Sequence, residues 1–283
     1  MENKGIDFSV GYRSKLTGKF QWEIELIGSH YKNEIVNIDG VQDFFYGPQG
    51  GRKGTFVINQ VGHPIGSFYG YVQDGIFQNQ GEVDSHAVQD GAAVGRFRWE
   101  DVNGDGTITA DDRTIIGSPH PDFTGGLNFS ATYGNFDLSM FFFGSYGNDI
   151  WNQNYEFTVF RLYSTNVRED RLTDSWTPSN TGAKYPQLDQ NDQFSDQYSS
   201  FYVEDGSYLR LKNLQIGYNL PKMGWFQNIR IYIQGQNLFT LTNYTGLDPA
   251  LPTISTTGSS GNQSDQAMGI DYGPYPANRI FTI

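Results

Sequence analysis

Three oxygen-bearing side chains stand at alternate positions in the stretch DVNGDGTITADD, a spacing that can hold a hard cation. Asp101, Asn103 and Asp105 fill the first, third and fifth places of a calcium loop. Gly106 permits the sharp turn, Thr107 offers a backbone carbonyl, and Asp112 stands twelfth. Calcium accepts oxygen ligands of this mixed kind in a forgiving geometry. The twelfth ligand is usually a bidentate Glu; the shorter Asp112 must approach closer or bind through one oxygen, and Asp111 beside it substitutes or repels. Asn, Asp and Gly also build Asx turns without any ion, and the flanking RFRWE reads as a strand, with no entering helix. Calcium is the expectation and rigidity its role; a solvated turn is the alternative.

A second set is aromatic. Phe68, Tyr69 and Tyr71, then Trp151 and Tyr155, have faces that stack on sugar rings, although packing or a membrane-interface girdle accounts for them more simply. Enzyme chemistry finds little support. His30, His63, His86 and His120 are scattered without metal-ligand spacing, no G-x-S-x-G is present, and the chain has no cysteine. The glycine-rich GPQGGRKGTF lacks the G-K-[ST] ending that cradles phosphate and reads as a flexible loop. Carboxylates are plentiful, but nothing pairs two of them as a glycosidase needs. The chain is not expected to be an enzyme.

The elements that carry these residues are strands. Among 283 residues, 21 Phe, 18 Tyr and 34 Gly outweigh the helix-favouring types, a balance that suits sheets and turns. A formal net charge of -12 repels nucleic acid and offers anionic lipid headgroups little, so cations are the better partners. No run of 18 apolar residues is present, which excludes a helical span. Barrel strands escape that test, because they alternate apolar and polar residues and keep mean hydropathy low.

Alternation is clearest in GGLNFSATYG, and it recurs in NFDLSMFFFG, LQIGYNL, NIRIYIQGQN, IDFSVGYR and QWEIELIG, with NRIFTI closing the chain. The links between these seven segments alternate in length. Arg13 to Lys19, Tyr133 to Phe136 and Leu220 to Ile229 are hairpin-like; residues 37–123, 146–200 and 240–276 are far longer than ordinary loops. In an up-and-down sheet this puts every long link at one end, as in outer-membrane barrels. The fold class expected is all-β, an antiparallel transmembrane barrel segment with long extracellular loops. A soluble antiparallel sheet with one wet face shares the alternation but not the segregated links.

The chain resembles the C-terminal part of the barrel of SusC/RagA-type TonB-dependent outer-membrane transporters of Bacteroidetes. The resemblance lies in ENKGIDFSVGYRSK, GHPIGSFYGYVQDGIFQ, the run from GRFRWEDVNGDG to FFFGSYGNDIWN, YVEDGSYLRLKNLQIGYNLP, IRIYIQGQNLFTLTNYTGLDP and GIDYGPYP, in that order. It implies a barrel of roughly 22 strands plugged by an N-terminal domain and energised by TonB. A SusD-like lipoprotein lid would capture glycans or peptides outside. Residues 1–283 then read as one C-terminal barrel portion in outer-membrane lipid. The plug, its TonB-contacting region and a signal peptide are expected to be absent, because the opening MENKGIDFSVGYRSK lacks an apolar core and the chain stops at Ile283 rather than at a terminal aromatic residue. The function expected is nutrient import without bond chemistry. The competing reading is a secreted, calcium-stabilised β protein that binds carbohydrate on aromatic loops.

Overall fold

The computed structural model describes residues 1–14, 18–47, 50–160, 166–222, 224–225, 228–252, 257–258, 261–262 and 266–283. Its main sheet is built from β1 (Glu2–Arg13), β2 (Phe20–Glu34), β3 (Phe123–Tyr133), β4 (Phe136–Tyr146), β5 (Tyr208–Leu220), β6 (Ile229–Gln236), β7 (Thr240–Thr242) and β8 (Ile280–Thr282). The order is β1-β2-β3-β4-β5-β6-β8, all antiparallel, and β7 pairs with the first residues of β5. The seven segments expected from alternation are the seven strands of that path. β1 and β2 run further than their alternation alone shows, because their polar ends, Glu2 to Lys4 against Lys32 to Glu34, keep pairing.

Register sorts the faces. Tyr12, Ile24, Phe129, Met140, Leu214, Gly235 and Phe281 stand opposite one another across seven strands. One residue along, Arg13, Glu23, Ser130, Ser139, Gln215, Gln234 and Thr282 form the matching row. Successive side chains point to opposite faces, so one face is apolar and the other polar over its full width. Near the hairpins Phe20, Tyr133, Phe136 and Tyr218 align across four strands.

Ile27, Phe141 and Phe143 interrupt the polar face near the long links, and two irregularities keep the rest of the faces sorted. In β5 the apolar residues change phase, from Leu209 and Leu211 to Leu214 and Ile216. A bulge absorbs the change, since Phe141 faces Asn213 while Phe142 faces Leu211, leaving Lys212 as the extra residue. After β6, Asn237 takes φ 51°, a conformation Asn tolerates better than most residues. Leu238 then donates to the Leu211 carbonyl and Leu211 to that of Phe239, and β7 resumes the pairing.

The β3–β4 link is the two-residue turn Gly134–Asn135. Gly134 has φ 59°, the sign that a II′ hairpin demands of its first central residue. The β1–β2 and β5–β6 links lie at the same end; residues 15–17, 223 and 226–227 of those expected hairpins lie outside the described residues, as do Pro48 and Gln49 of the glycine-rich stretch. The rest of that stretch forms a small hairpin, Gly50–Gly51 against Gly54–Thr55.

The three long links are not open loops. They fold together as a second layer. Phe44–Tyr46, Val57–Gln60, Ser67–Gly70 and Thr114–Gly117 make a four-stranded sheet within the first link. Asp149–Asn152 pairs with Val203–Asp205 and, in parallel, with Ile270–Asp271, which ties the second link to the third. Their shared core includes Phe56, Phe68, Trp99, Trp151, Tyr185, Tyr202 and Ile270. At its centre the Trp151 ring lies between Phe56 and Tyr202, with centroids at 4.4 and 5.0 Å and planes 5° apart in both pairs.

Candidate functional site

The acidic loop is closed by its own backbone. Asp101 accepts the amides of Gly104 (2.8 Å), Asp105 (3.2 Å) and Gly106 (2.8 Å). Asn103 accepts the Asp105 amide at 2.9 Å and donates to the Asp105 carboxylate at 3.1 Å. Asp105 in turn accepts the Thr107 amide at 2.8 Å. Gly104 and Gly106 sit at φ 73° and 83°, which only glycine adopts cheaply. The structure therefore brings Asp101, Asn103, Asp105 and Thr107 onto one turn.

Asp112 is buried and points into that turn. It accepts Val102 at 3.0 Å and Thr109 at 2.7 Å, and it shares a capping box with Thr109. Burial works against its charge, but the backbone amides of Thr109, Asn103 and Val102 outweigh that and hold its carboxyl below the usual range. Asp111 is exposed. Among the described residues, no three His, Cys, Asp or Glu side chains gather as metal ligands, so a cation here would draw on the amide oxygen of Asn103 and the carbonyl of Thr107.

The aromatic residues take the packing role that is the simpler of their two readings. Phe68, Trp151 and Tyr155 are buried in the core of the second layer, where burying each ring stabilises the packing of three chain segments, and they have no face to offer a sugar. Tyr69 and Tyr71 are half-buried. Arg113 covers Tyr69 at 4.5 Å, and Tyr71 stacks on Trp99 at 5.8 Å. All five take part in packing this layer.

The polar face of the sheet is the more organised surface. Arg13 pairs with Glu23 at 2.7 Å, Ser9 and Asn128 donate to Glu25 at 3.1 and 3.2 Å, and Gln234 donates to Asn213 at 2.7 Å. Asp137 is held by Arg230 and Asn219 at 2.5 and 3.2 Å. Where β5 leaves the sheet, the buried Arg210 binds Asp248 and, at 2.7 Å, Thr240. Asp248 also accepts the amides of Ala250 and Ala277, both at 2.9 Å. That pair was not foreseeable, since its members lie 38 residues apart and nothing in the local pattern joins them.

Comparison with known proteins bears on this architecture. No protein-family model matches the chain. TonB-dependent receptor P3 of Formosa agariphila is 37% identical over all of the chain, and TonB-dependent receptor SusC of Bacteroides thetaiotaomicron is 29% identical over the same extent. Over its whole length the chain is homologous to TonB-dependent receptors, SusC among them. It spans only 28% and 26% of those two proteins. The solved structure of the RagAB peptide importer in its open-open state superposes on 99% of the chain with a TM-score of 0.73, at 23% identity and covering 28% of that protein. At that identity the likeness speaks for the fold, an antiparallel barrel segment. These relatives are receptors and importers rather than enzymes.

The depressed carboxyl of Asp112 sets a pH dependence for the loop. A group whose folded pKa is lowered stabilises the fold above its unfolded value, roughly 3.9, and that contribution is lost as pH falls through the folded value. In calcium-free buffer, protease resistance of residues 98–122 should stay level from neutral pH down to about 5 and fall only below about 4. Asp112→Asn should weaken the loop at neutral pH by about 1–3 kcal/mol, because one of its two acceptor oxygens becomes a donor that faces a backbone amide. A loop that loosens between neutral pH and 5, or an unaffected variant, would contradict this role for Asp112.

Proposed function

We propose that this chain forms part of the barrel of an outer-membrane nutrient receptor. Substrate, glycan or peptide, would pass through a plugged lumen under a SusD-like lipoprotein lid, driven by TonB through the plug region of the whole receptor. The observation that carries this reading is the pairing of a broad apolar face with links of strictly alternating length. Ile6, Val10 and Ile231 on that face are 70%, 65% and 56% exposed, too much apolar surface for a sheet facing water. β3 has 11 residues and runs from Phe123 to Tyr133; at roughly 3.3 Å per residue and a tilt of about 40° it rises ~25 Å, the height of an outer-membrane apolar band. The aromatic row Phe20, Tyr133, Phe136 and Tyr218 stands where an interfacial girdle would. No helix among the described residues is long and apolar enough to cross a membrane, so strands would do the crossing. The polar face would line the lumen, and the layer of long links would lie outside, below the lid.

A secreted carbohydrate binder is the weaker reading, since its aromatic anchors are buried and its apolar sheet face would be uncovered. The test is removal of the receptor that carries this chain, followed by growth on defined glycans and on peptides as the sole nutrient. Loss of growth on one class, restored by the intact gene, is expected. Undiminished growth on every class, or a receptor that purifies from the aqueous fraction without detergent, would refute the reading.

A narrower proposal concerns calcium in the Asp101–Asp112 loop. It is supported by the convergence of Asp101, Asn103 and Asp105 on one turn, with Asp112 accepting the amides of Val102 and Asn103 in the same turn; oxygen ligands of this kind suit calcium. Calcium should then raise the protease resistance of residues 98–122 in the intact receptor, and Asp105→Ala should abolish the gain. Equal protection with and without calcium would end the proposal.

A further inference from the structure

The polar face of the sheet carries an apolar island on the side of the long links. Ile27 of β2, Gly126 of β3 and Phe143 of β4 stand opposite one another, and Phe141 lies two residues nearer mid-sheet, between Asn128 of β3 and Asn213 of β5. A glycine makes the room. A Cβ at Gly126 would meet Cε2 of Phe141 at 2.8 Å and Cδ1 of Ile27 at 3.2 Å, so the Phe141 ring leans across β3 toward β2. Tyr208 of β5 extends the island with its ring 6.3 Å from that of Phe143, and Ile27, Phe141, Phe143 and Tyr208 all stay half-exposed. Polar groups flank them on both sides. Beside Phe141 a recess of about 200 Å³ opens between Glu25, Asn128, Ser139 and Asn213; it is smaller than the roughly 300–1,000 Å³ of drug-sized pockets and has room for one ring. On the β5 side the extra residue of the bulge, Lys212, holds its ammonium 6.0 Å from the centre of the Phe143 ring. Among the described residues it joins no ion pair.

We propose that this island is a subsite for one acidic sugar residue of a glycan, its ring resting on Phe141 and Phe143 and its carboxylate meeting Lys212. The inference rests on the reading above, that the polar face lines the lumen of a nutrient receptor, and it narrows the substrate to glycans that carry uronic acids. Aromatic faces set in a wet polar wall gain by covering with apolar surface, and the C–H face of a pyranose is flat, apolar and bordered by hydroxyls. Asn and Glu side chains then serve those hydroxyls as donors and acceptors. β3 and β5 are two strand spacings apart, roughly 10 Å, so Asn128 and Lys212 reach opposite edges of one ring. Lys212 decides the class. An ammonium with no counter-ion draws a carboxylate, and a hydrogen bond between two charged groups is stronger than a neutral one. Glu25 does not cancel that attraction, because β2 lies three spacings from β5, about 14 Å, beyond the ~8 Å over which charges act in salt water.

The test is calorimetric titration of the intact receptor with trimers of galacturonate, glucuronate and mannuronate, against maltotriose and trialanine. At least one uronate trimer should bind about tenfold or more tighter than both controls. Lys212→Met, which keeps the reach and drops the charge, should lose about tenfold for that trimer and leave maltotriose unchanged; Lys212→Arg should keep the preference. Phe143→Leu should weaken both sugars. Barrel mobility on unheated gels checks that each variant is folded. No preference for any uronate trimer, tightest binding of trialanine, or equal affinity in Lys212→Met would overturn the inference. Growth separates it from the reading beneath. If removal of the receptor abolishes growth on a nutrient while Lys212→Met restores growth on polyuronates as well as the wild type does, the subsite alone falls; if removal costs no growth on any nutrient, the receptor reading falls with it.

Discussion

A slip of one residue in any strand pairing would carry Arg230 or Asp137 to the apolar face and Ile231 or Leu138 to the polar one, because side chains alternate with a period of two. Register is thus the constraint on which the molecule depends. It is held by antiparallel ladders from β1 to β6, with a bulge in β5, by a two-residue turn at Gly134, and by charged pairs such as Asp137 with Arg230 that close only in the correct pairing. Even the irregularities serve it. The extra Lys212 in β5 absorbs a phase change that would otherwise invert Leu209 and Leu211.

With register fixed, the ends of the sheet differ. One end has short turns; the other sends out three long segments, which would carry many unpaired backbone groups if they stayed irregular. They pair with one another instead. The Asp149–Asn152 strand joins segments from two links, and the stack of Phe56, Trp151 and Tyr202 clamps the first link to the second. Large stacked rings bury much area for little side-chain entropy, which suits a layer that must keep its shape.

Strand identity, strand order and the one-sided placement of long links were legible in the sequence, because alternation and turn spacing are local signals. The same locality limited the reading. The β5 bulge shows only as Leu211 followed by Leu214, and the break at Asn237 follows from a backbone conformation that no periodicity reports. The aromatic residues Phe68, Trp151 and Tyr155 suggested ligand faces; their burial arises from contacts between segments remote in sequence, as does the pairing of Arg210 with Asp248. The acidic loop lies between these cases. Its turn was readable from Asp, Asn and Gly spacing, but the inward role of Asp112 depends on three backbone amides that only the folded loop brings together.

The account stands on the two ends of the sheet facing opposite sides of one membrane. Since the chain has no cysteine, single cysteines placed in the intact receptor at Val41 and Ser179 in the long links, and at Asn135 in the short turn, can be probed on whole cells with an impermeant thiol reagent. Labelling of the first two positions with the turn spared is the predicted result, and the turn should react once the cells are opened. Labelling at Asn135 equal to that at Ser179 on intact cells would contradict it.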